Sequence, residues 1–238
     1  MRHPNRFVAL LAGLFLVEWV VLAIDPVDRR DWFLENVLVF CSVAVLVVGY
    51  RRLQLSRLSY ALIFIFLCLH EIGAHYTYEK VPYDTWFEAL SGHTLNSVLG
   101  WQRNNFDRVV HFSYGLLLAY PIREVFLRVA DVRGFWGYFL PLDLTMSSSM
   151  LFELFEWAAA SIVAADLGMA YLGTQGDVWD AHKDMGLASL GALVAMTVTA
   201  CVNVYLQRDF GREWAESLRV KSAQPLGEEA IRRRLKER

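Results

Sequence analysis

Cysteine is scarce in this chain: 3 among 238 residues, at Cys41, Cys68 and Cys201, each inside an apolar run and none in a CxxC spacing. That excludes a disulfide framework and thiolate chemistry, and leaves the thiols as small core hydrophobes. Net charge is nearly absent too, formally −2 at pH 7, so the electrostatic footprint of a nucleic-acid binder is missing. No HExxH or HxxxH run exists, no repeat of solenoid period and no low-complexity tract. The first apolar stretch, ending VVLAIDP, lacks the small-x-small cleavage pattern of a secretory signal and is expected to remain as a membrane span.

What the chain has is apolar length. It is 55% hydrophobic and 14% aromatic, with a mean hydropathy of +0.31, which is the profile of a membrane protein. A bilayer core takes about 20 apolar residues of helix. Runs of that kind fall at 7–24, 32–50, 58–76, 109–127, 137–165 and 185–206. The expected fold is therefore all-α: a polytopic bundle of six spans over residues 1–206, followed by a charged cytoplasmic tail at 207–238. Pro141 and Asp143 are expected at the start of the fifth helix, Asp143 as its cap. The long connection between the third and fourth spans holds Tyr83, Trp86, Phe87 and Leu90 at i, i+3, i+4 and i+7. That spacing predicts a short aromatic interfacial helix, a lid lying on the membrane. Arginines gather at one set of ends (Arg2, Arg6, Arg51, Arg52, Arg57, Arg128, Arg133), so both termini are expected on the cytoplasmic side.

Four polar clusters then share the outer level: His70, Glu71 and His75; Asp107, Arg108 and His111; Glu153 and Glu156; Asp177, Asp180 and Asp184. Residues three or four apart share a helix face, so each span offers one polar face to a common pocket. Three chemistries use such a set. His and carboxylates from facing helices can hold a divalent metal ion, with His70, Glu71, His75, Glu153, Glu156 and Asp180 as candidate ligands. A carboxylate-oriented His111 can move a proton, with Asp107, Glu153, Glu156, Asp180 and Asp184 as candidate catalytic partners. Arg108, with Asp177 and Trp179, can bind a headgroup without any reaction. Each pair taken alone has a plainer reading as buried groups that satisfy one another; four at one depth favour function, because ionisable groups are expensive inside a membrane. Glu18 either joins the pocket or pairs near the interface. Trp101, Trp136 and Trp157 fit an interfacial belt, and His182 and Lys183 are expected to face water or headgroups.

HEIGAHYTY, NNFDRVVHFSYG, FELFEW and GTQGDVWDAHKDM, in that order from about Leu58 to the end of the sixth span, resemble the uncharacterised YjdF-like family of bacterial inner-membrane proteins. The resemblance implies a fold, a topology and an inner-membrane location, but no reaction. A more distant likeness is to VanZ-like membrane proteins, associated with resistance to a glycopeptide antibiotic. Asp107, Arg108, His111 and Phe112 match their first element with Arg for Lys. Glu153 and Glu156 match the second with Glu for Gln, and Asp180, Asp184 and Gly191 the third with Asp for Asn. The extra acidity points toward a cation, a metal or a proton. The reading that results is a membrane protein whose outer pocket binds or processes an envelope lipid or lipid-linked headgroup. A small transporter or proton-coupled carrier, and a structural membrane protein with a buried polar network, are the alternatives.

Overall fold

The computed structural model describes residues 6–162, 175–206, 209–221 and 227–237, and among these all regular structure is helical. Six long helices run α1 (Arg6–Leu22), α2 (Arg29–Tyr50), α3 (Arg57–His75), α6 (Phe106–Val129), α7 (Trp136–Ile162) and α8 (Asp180–Leu206). Two short ones, α4 (Tyr83–Ser91) and α5 (Leu95–Leu99), fill the long connection, and α9 (Phe210–Ser217) and α10 (Glu228–Lys236) follow the bundle. By length and composition α2, α3 and α8 are able to cross a membrane.

Local chemistry fixes the helix starts. The Asp28 carboxylate accepts from the amides of Arg30 and Asp31, and the Ser56 hydroxyl oxygen from that of Ser59, which satisfies donors that a helix start leaves unpaired. Short connections make neighbours run up and down. The amide of Val27 donates to the carbonyl of His75 at one end, 2.9 Å away. At the other end, the Ser56 amide donates to the carboxylate of Glu124, also at 2.9 Å. The starts of α2, α6 and α8 and the ends of α3 and α7 therefore share a level.

The bundle is organised on α6 and α8. Gly115 of α6 faces Ala188 and Ala192, and Gly191 of α8 faces the backbone of Phe112 and Leu116. A Cβ at Gly115 would overlap the carbonyl oxygen of Ala188, and one at Gly191 that of Phe112. Both backbones touch because neither side has a side chain in the way. The seam is a row of residues four apart, Asp107, His111, Gly115 and Ala119 on α6, against Asp180, Asp184, Ala188 and Ala192 on α8; rows of that spacing are the ridges helices pack with. α7 lies against both helices, presenting Pro141, Thr145, Ser149 and Glu153, all buried and again four apart. α3 lies on α6, and α1 and α2 lie on α3.

Several expectations need correction. Pro141 lies inside α7, not at its start, and Asp143 is two residues further in and caps nothing. α7 runs on through the ring from Trp136, and the hydroxyl of Thr145 bonds the Pro141 carbonyl at 2.8 Å. Residues 163–165 of the expected fifth span lie outside the described residues. Cys41 and Cys201 are exposed on the bundle's outer surface and only Cys68 is half-buried, so two of the thiols are not core residues. The tail is more than charge: Phe210 and Trp214 of α9 pack on Tyr138 and Phe135, and Ser217 accepts from the amide of Phe135 and the indole of Trp136.

The seam generates a test. Gly115→Ala and Gly191→Ala each add a methyl between two backbones, where overpacking costs about 1–3 kcal/mol. Gly186, on the same helix, meets nothing within 4 Å, so Gly186→Ala is expected to gain up to about 1 kcal/mol of helix propensity. Thermal or denaturant melts of the purified protein should order the three as seam variants below wild type and Gly186→Ala at or above it.

Candidate functional site

The row of small residues on α6 and α8 becomes polar toward the end shared with the top of α3. There the ionisable groups divide into two layers. In the upper layer every acid has a base. Arg103 donates to Asp180 at 2.7 Å, Arg108 to Asp177 at 2.5 Å and to Asp180 at 3.1 Å, and Lys183 to Asp177 at 2.5 Å. Arg108 also holds the side-chain oxygen of Asn105 at 3.0 Å. This rim ties the start of α8 to the start of α6.

One turn deeper the balance reverses. His111 Nε2 lies 3.5 Å from Asp107 Oδ1 and 3.5 Å from Glu153 Oε1. Asp184 completes the group: its oxygen, with those of Asp107 and the His111 nitrogen, falls within a 4.8 Å span. Asp184 is 2% exposed and Glu153 9%, and Asp184 Oδ1 and Glu153 Oε1 have no hydrogen-bond partner among the described residues. The arginines are spent on the rim, so one imidazole stands among the acids. Burying carboxylates without counter-charge is costly, so this layer calls for a cation, a proton or a polar ligand.

Beside the acidic layer lies a cavity of about 290 Å³ between α2, α3, α6 and α7. Its wall carries acids and imidazoles, Asp31, Glu35, His70, Asp107, His111 and Glu156, interleaved with apolar side chains such as Phe66, Val110, Phe152 and Phe155, and with Tyr114, Ser148 and Ser149. Tyr78 closes it beneath the connection. The phenol donates to His70 Nδ1 at 2.5 Å, which leaves His70 Nε2 to donate its proton to the Glu35 carbonyl at 3.2 Å. Burial pushes the Tyr78 phenol well above its ordinary range, so it stays a donor. Thr77 and Tyr78 both sit in the left-handed region at φ 54° and 52°, costly for residues with a side chain. The turn is held by the Tyr78 amide bonding the Gly73 carbonyl at 2.8 Å and by the ring lying where a Cβ on Gly73 would be.

Of the residues predicted, Asp107, His111, Glu153 and Asp184 come together, with Glu156 and His70 on the cavity wall. Asp180 sits above them, engaged by two arginines. Arg108 is not an open fork, for its guanidinium is committed to Asp177 and Asp180. Asp177 precedes α8 and does not share its face. Trp179 is 61% exposed, meets His182 edge to face and is no part of the cavity wall. Lys183 pairs with Asp177 and does not simply face water. His75 bonds the carbonyl of Leu22 at 2.7 Å, and Glu71, fully buried, faces the α1 side near Asn36 and Glu18. His75 and Glu71 thus leave the metal-ligand set, and Glu18 belongs with them on that side. No residue of α4 or α5 belongs to the cavity wall. Asp31 and Glu35, buried on one face of α2, and Tyr78 were missed. The four-residue step from Asp31 to Glu35 was the available signal.

The model of the family described as predicted membrane protein (DUF2238) matches residues 7–204. The inner membrane protein YjdF of Escherichia coli strain K12 is 35% identical over 193 residues, covering 81% of this chain and 88% of that protein. No solved structure matches the chain. The VanZ-like resemblance rests on motif spacing alone.

The rim carries a pH prediction. The Lys183 ammonium, with the Trp179 amide and the Arg108 guanidinium, holds the Asp177 carboxyl at about 2, below its ordinary 3.8. A depressed folded value stabilises the fold above the unfolded value, and the effect is lost as pH falls through the folded one. The gap in melting temperature between wild type and Asp177→Asn should be full above pH 3.8 and close as pH approaches about 2.

Proposed function

The chain belongs to the DUF2238 family of membrane proteins and, like its relative, is a multi-pass protein of the inner membrane; from that premise we propose that it takes an amphipathic envelope lipid, or a lipid-linked headgroup, into the cavity between α2 and α7. In this reading six helices cross the bilayer, both termini are cytoplasmic, and α4 with its exposed Trp86 lies at the outer interface. The crowding of Arg51, Arg52, Arg57, Arg128 and Arg133 at the end away from the cavity supports that orientation.

One observation carries the proposal: a cavity whose wall combines acids and imidazoles with aromatic and aliphatic side chains. Ligand pockets run from about 300 to 1,000 Å³. At about 290 Å³ this one suits a headgroup and the first part of a chain, the remainder staying among the bilayer lipids. Phe155 and Leu151 of α7 line the cavity and are also exposed on the outside of the bundle, which supports access from the side. The excess of carboxylates favours a headgroup with amines or hydroxyls over a bare phosphate. If a bond is broken there, His111, between two carboxylates, is the group placed to move a proton. A carrier would need a second opening at the inner face. The inner half is instead filled by Ala119, Tyr138, Ala192, Ala195 and Met196, which weighs against that alternative.

Ser149, buried on the cavity wall, gives the test. Lipid extracted from purified wild-type protein should be enriched several-fold in one class over the bulk membrane, and Ser149→Phe should remove most of that enrichment. Lipid profiles of a deletion strain and of a strain carrying His111→Ala at normal abundance should shift in the same class. Extracts that mirror the bulk membrane, with unchanged profiles in both strains, defeat the proposal; loss of protein level alone at His111→Ala marks a structural role.

A further inference from the structure

We infer that Asp107, His111, Glu153 and Asp184 form a binding site for one divalent transition-metal cation of the manganese-to-zinc range. The inference goes beyond the lipid reading: the cation site abuts the cavity but does not depend on what fills it.

The first argument is spacing. Metal bonds to nitrogen and oxygen of about 2.1 Å set the ligands of a tetrahedral centre about 3.4 Å apart. His111 Nε2 stands 3.5 Å from both Asp107 Oδ1 and Glu153 Oε1. That is long for a hydrogen bond, and one N–H cannot serve two acceptors well at that range. It is the separation that co-ligands of one ion adopt. An oxygen of Asp184 lies within 4.8 Å of ligand atoms on Asp107 and His111, so a shift of about an ångström brings it into the same shell.

The second argument is independent of spacing. Asp184 is 2% exposed and its Oδ1 has no hydrogen-bond partner among the described residues. It sits one helical turn below Asp180, whose Oδ1 is held by Arg103 and Arg108; Asp180 Oδ2, like Asp184 Oδ1, is bare among the described residues. An oxygen left bare in a buried place, facing two other potential ligands, is unfinished coordination.

The donor set narrows the ion. Carboxylates alone suit calcium and magnesium, while an imidazole draws first-row transition metals. One imidazole with three carboxylates sits between these and fits manganese(II), iron(II) or zinc(II). Three helices supply the four ligands: α6 gives Asp107 and His111 four residues apart, α7 gives Glu153 and α8 gives Asp184. The seam of small residues beneath holds α6 and α8 at close range, so the site is built on rigid elements.

Full-length protein in detergent, stripped with a chelator and dialysed against Mn²⁺ or Zn²⁺ alone, provides the test. Wild type is expected to retain one ion per chain, and X-ray absorption of the bound ion should show one imidazole in an otherwise oxygen shell. Asp184→Asn and His111→Gln should each weaken retention tenfold or more. Glu71→Gln, a buried acid on the α1 side of α3, should leave it unchanged. Failure of wild type to retain an ion at micromolar metal, a shell without imidazole, or equal loss in Glu71→Gln overturns the site. The absorption measurement needs no variant, so a misfolded Asp184→Asn does not rescue it. Loss of metal with lipid enrichment intact, or the reverse, separates this inference from the lipid reading.

Discussion

The contact of α6 with α8 through Gly115 and Gly191 is the constraint on which the structure turns. Lipid tails are as apolar as leucine, so helices in a bilayer gain little by burying hydrophobic area against one another; they associate where backbones can approach closely. Once that approach is fixed at the glycines, every fourth residue up the seam is forced to meet its counterpart. Ala119 and Ala192 fill the lower part, and Asp107, His111 and Asp184 have no choice but to face each other above. The acidic site is therefore the upper continuation of the tightest packing in the molecule, and its geometry is inherited from residues two turns away.

Charge then sorts itself by depth. Arg103, Arg108 and Lys183 neutralise Asp177 and Asp180 at the rim, where side chains reach one another across the starts of α6 and α8. Among the described residues, His111 is the one basic side chain within 4 Å of Asp107 and Glu153, with Arg103 and Arg108 acting from the rim above. A buried ion pair contributes little net stability, and buried acids without partners cost it. A chain selected only for a durable bundle would have apolar residues at these positions. That the lower layer is acidic, next to a cavity, is the physical ground for regarding it as a site and not as adhesive.

The helices could be read from apolar length, and Asp107 with His111 from a four-residue step, because both signals are local. What could not be read was rotation. A helix turns about 100° per residue, so His75, five residues after His70, lies about 140° round from it, and Glu71 lies about 100° round. The HExxxH element therefore cannot present both histidines to one pocket: His70 faces the cavity, while Glu71 and His75 face α1. Asp31 and Glu35 were hidden for another reason. Asp25, Pro26 and Asp28 carry turn chemistry that in sequence runs straight on into Asp31, although the Asp28 cap starts α2 before Asp31 and leaves it buried. Trp179 was misplaced because an aromatic between two acids carries no directional signal; only the position of the α8 start, one residue later, points it outward.

Access follows from the same arrangement. Above, the rim of ion pairs and the Thr77–Tyr78 turn close the approach from water, the turn at the cost of two left-handed residues. Below, Tyr138 and the alanines of the seam fill the space between α6, α7 and α8. α2 is packed on α3 and α7 on α6 and α8, so the cavity between α2 and α7 is bordered on that side by Leu38, Leu151 and Phe155 and by no further helix among the described residues. On the lipid reading proposed above, that side is the approach from the bilayer, and the occupant it calls for has an apolar body and a headgroup able to donate hydrogen bonds or carry a positive charge.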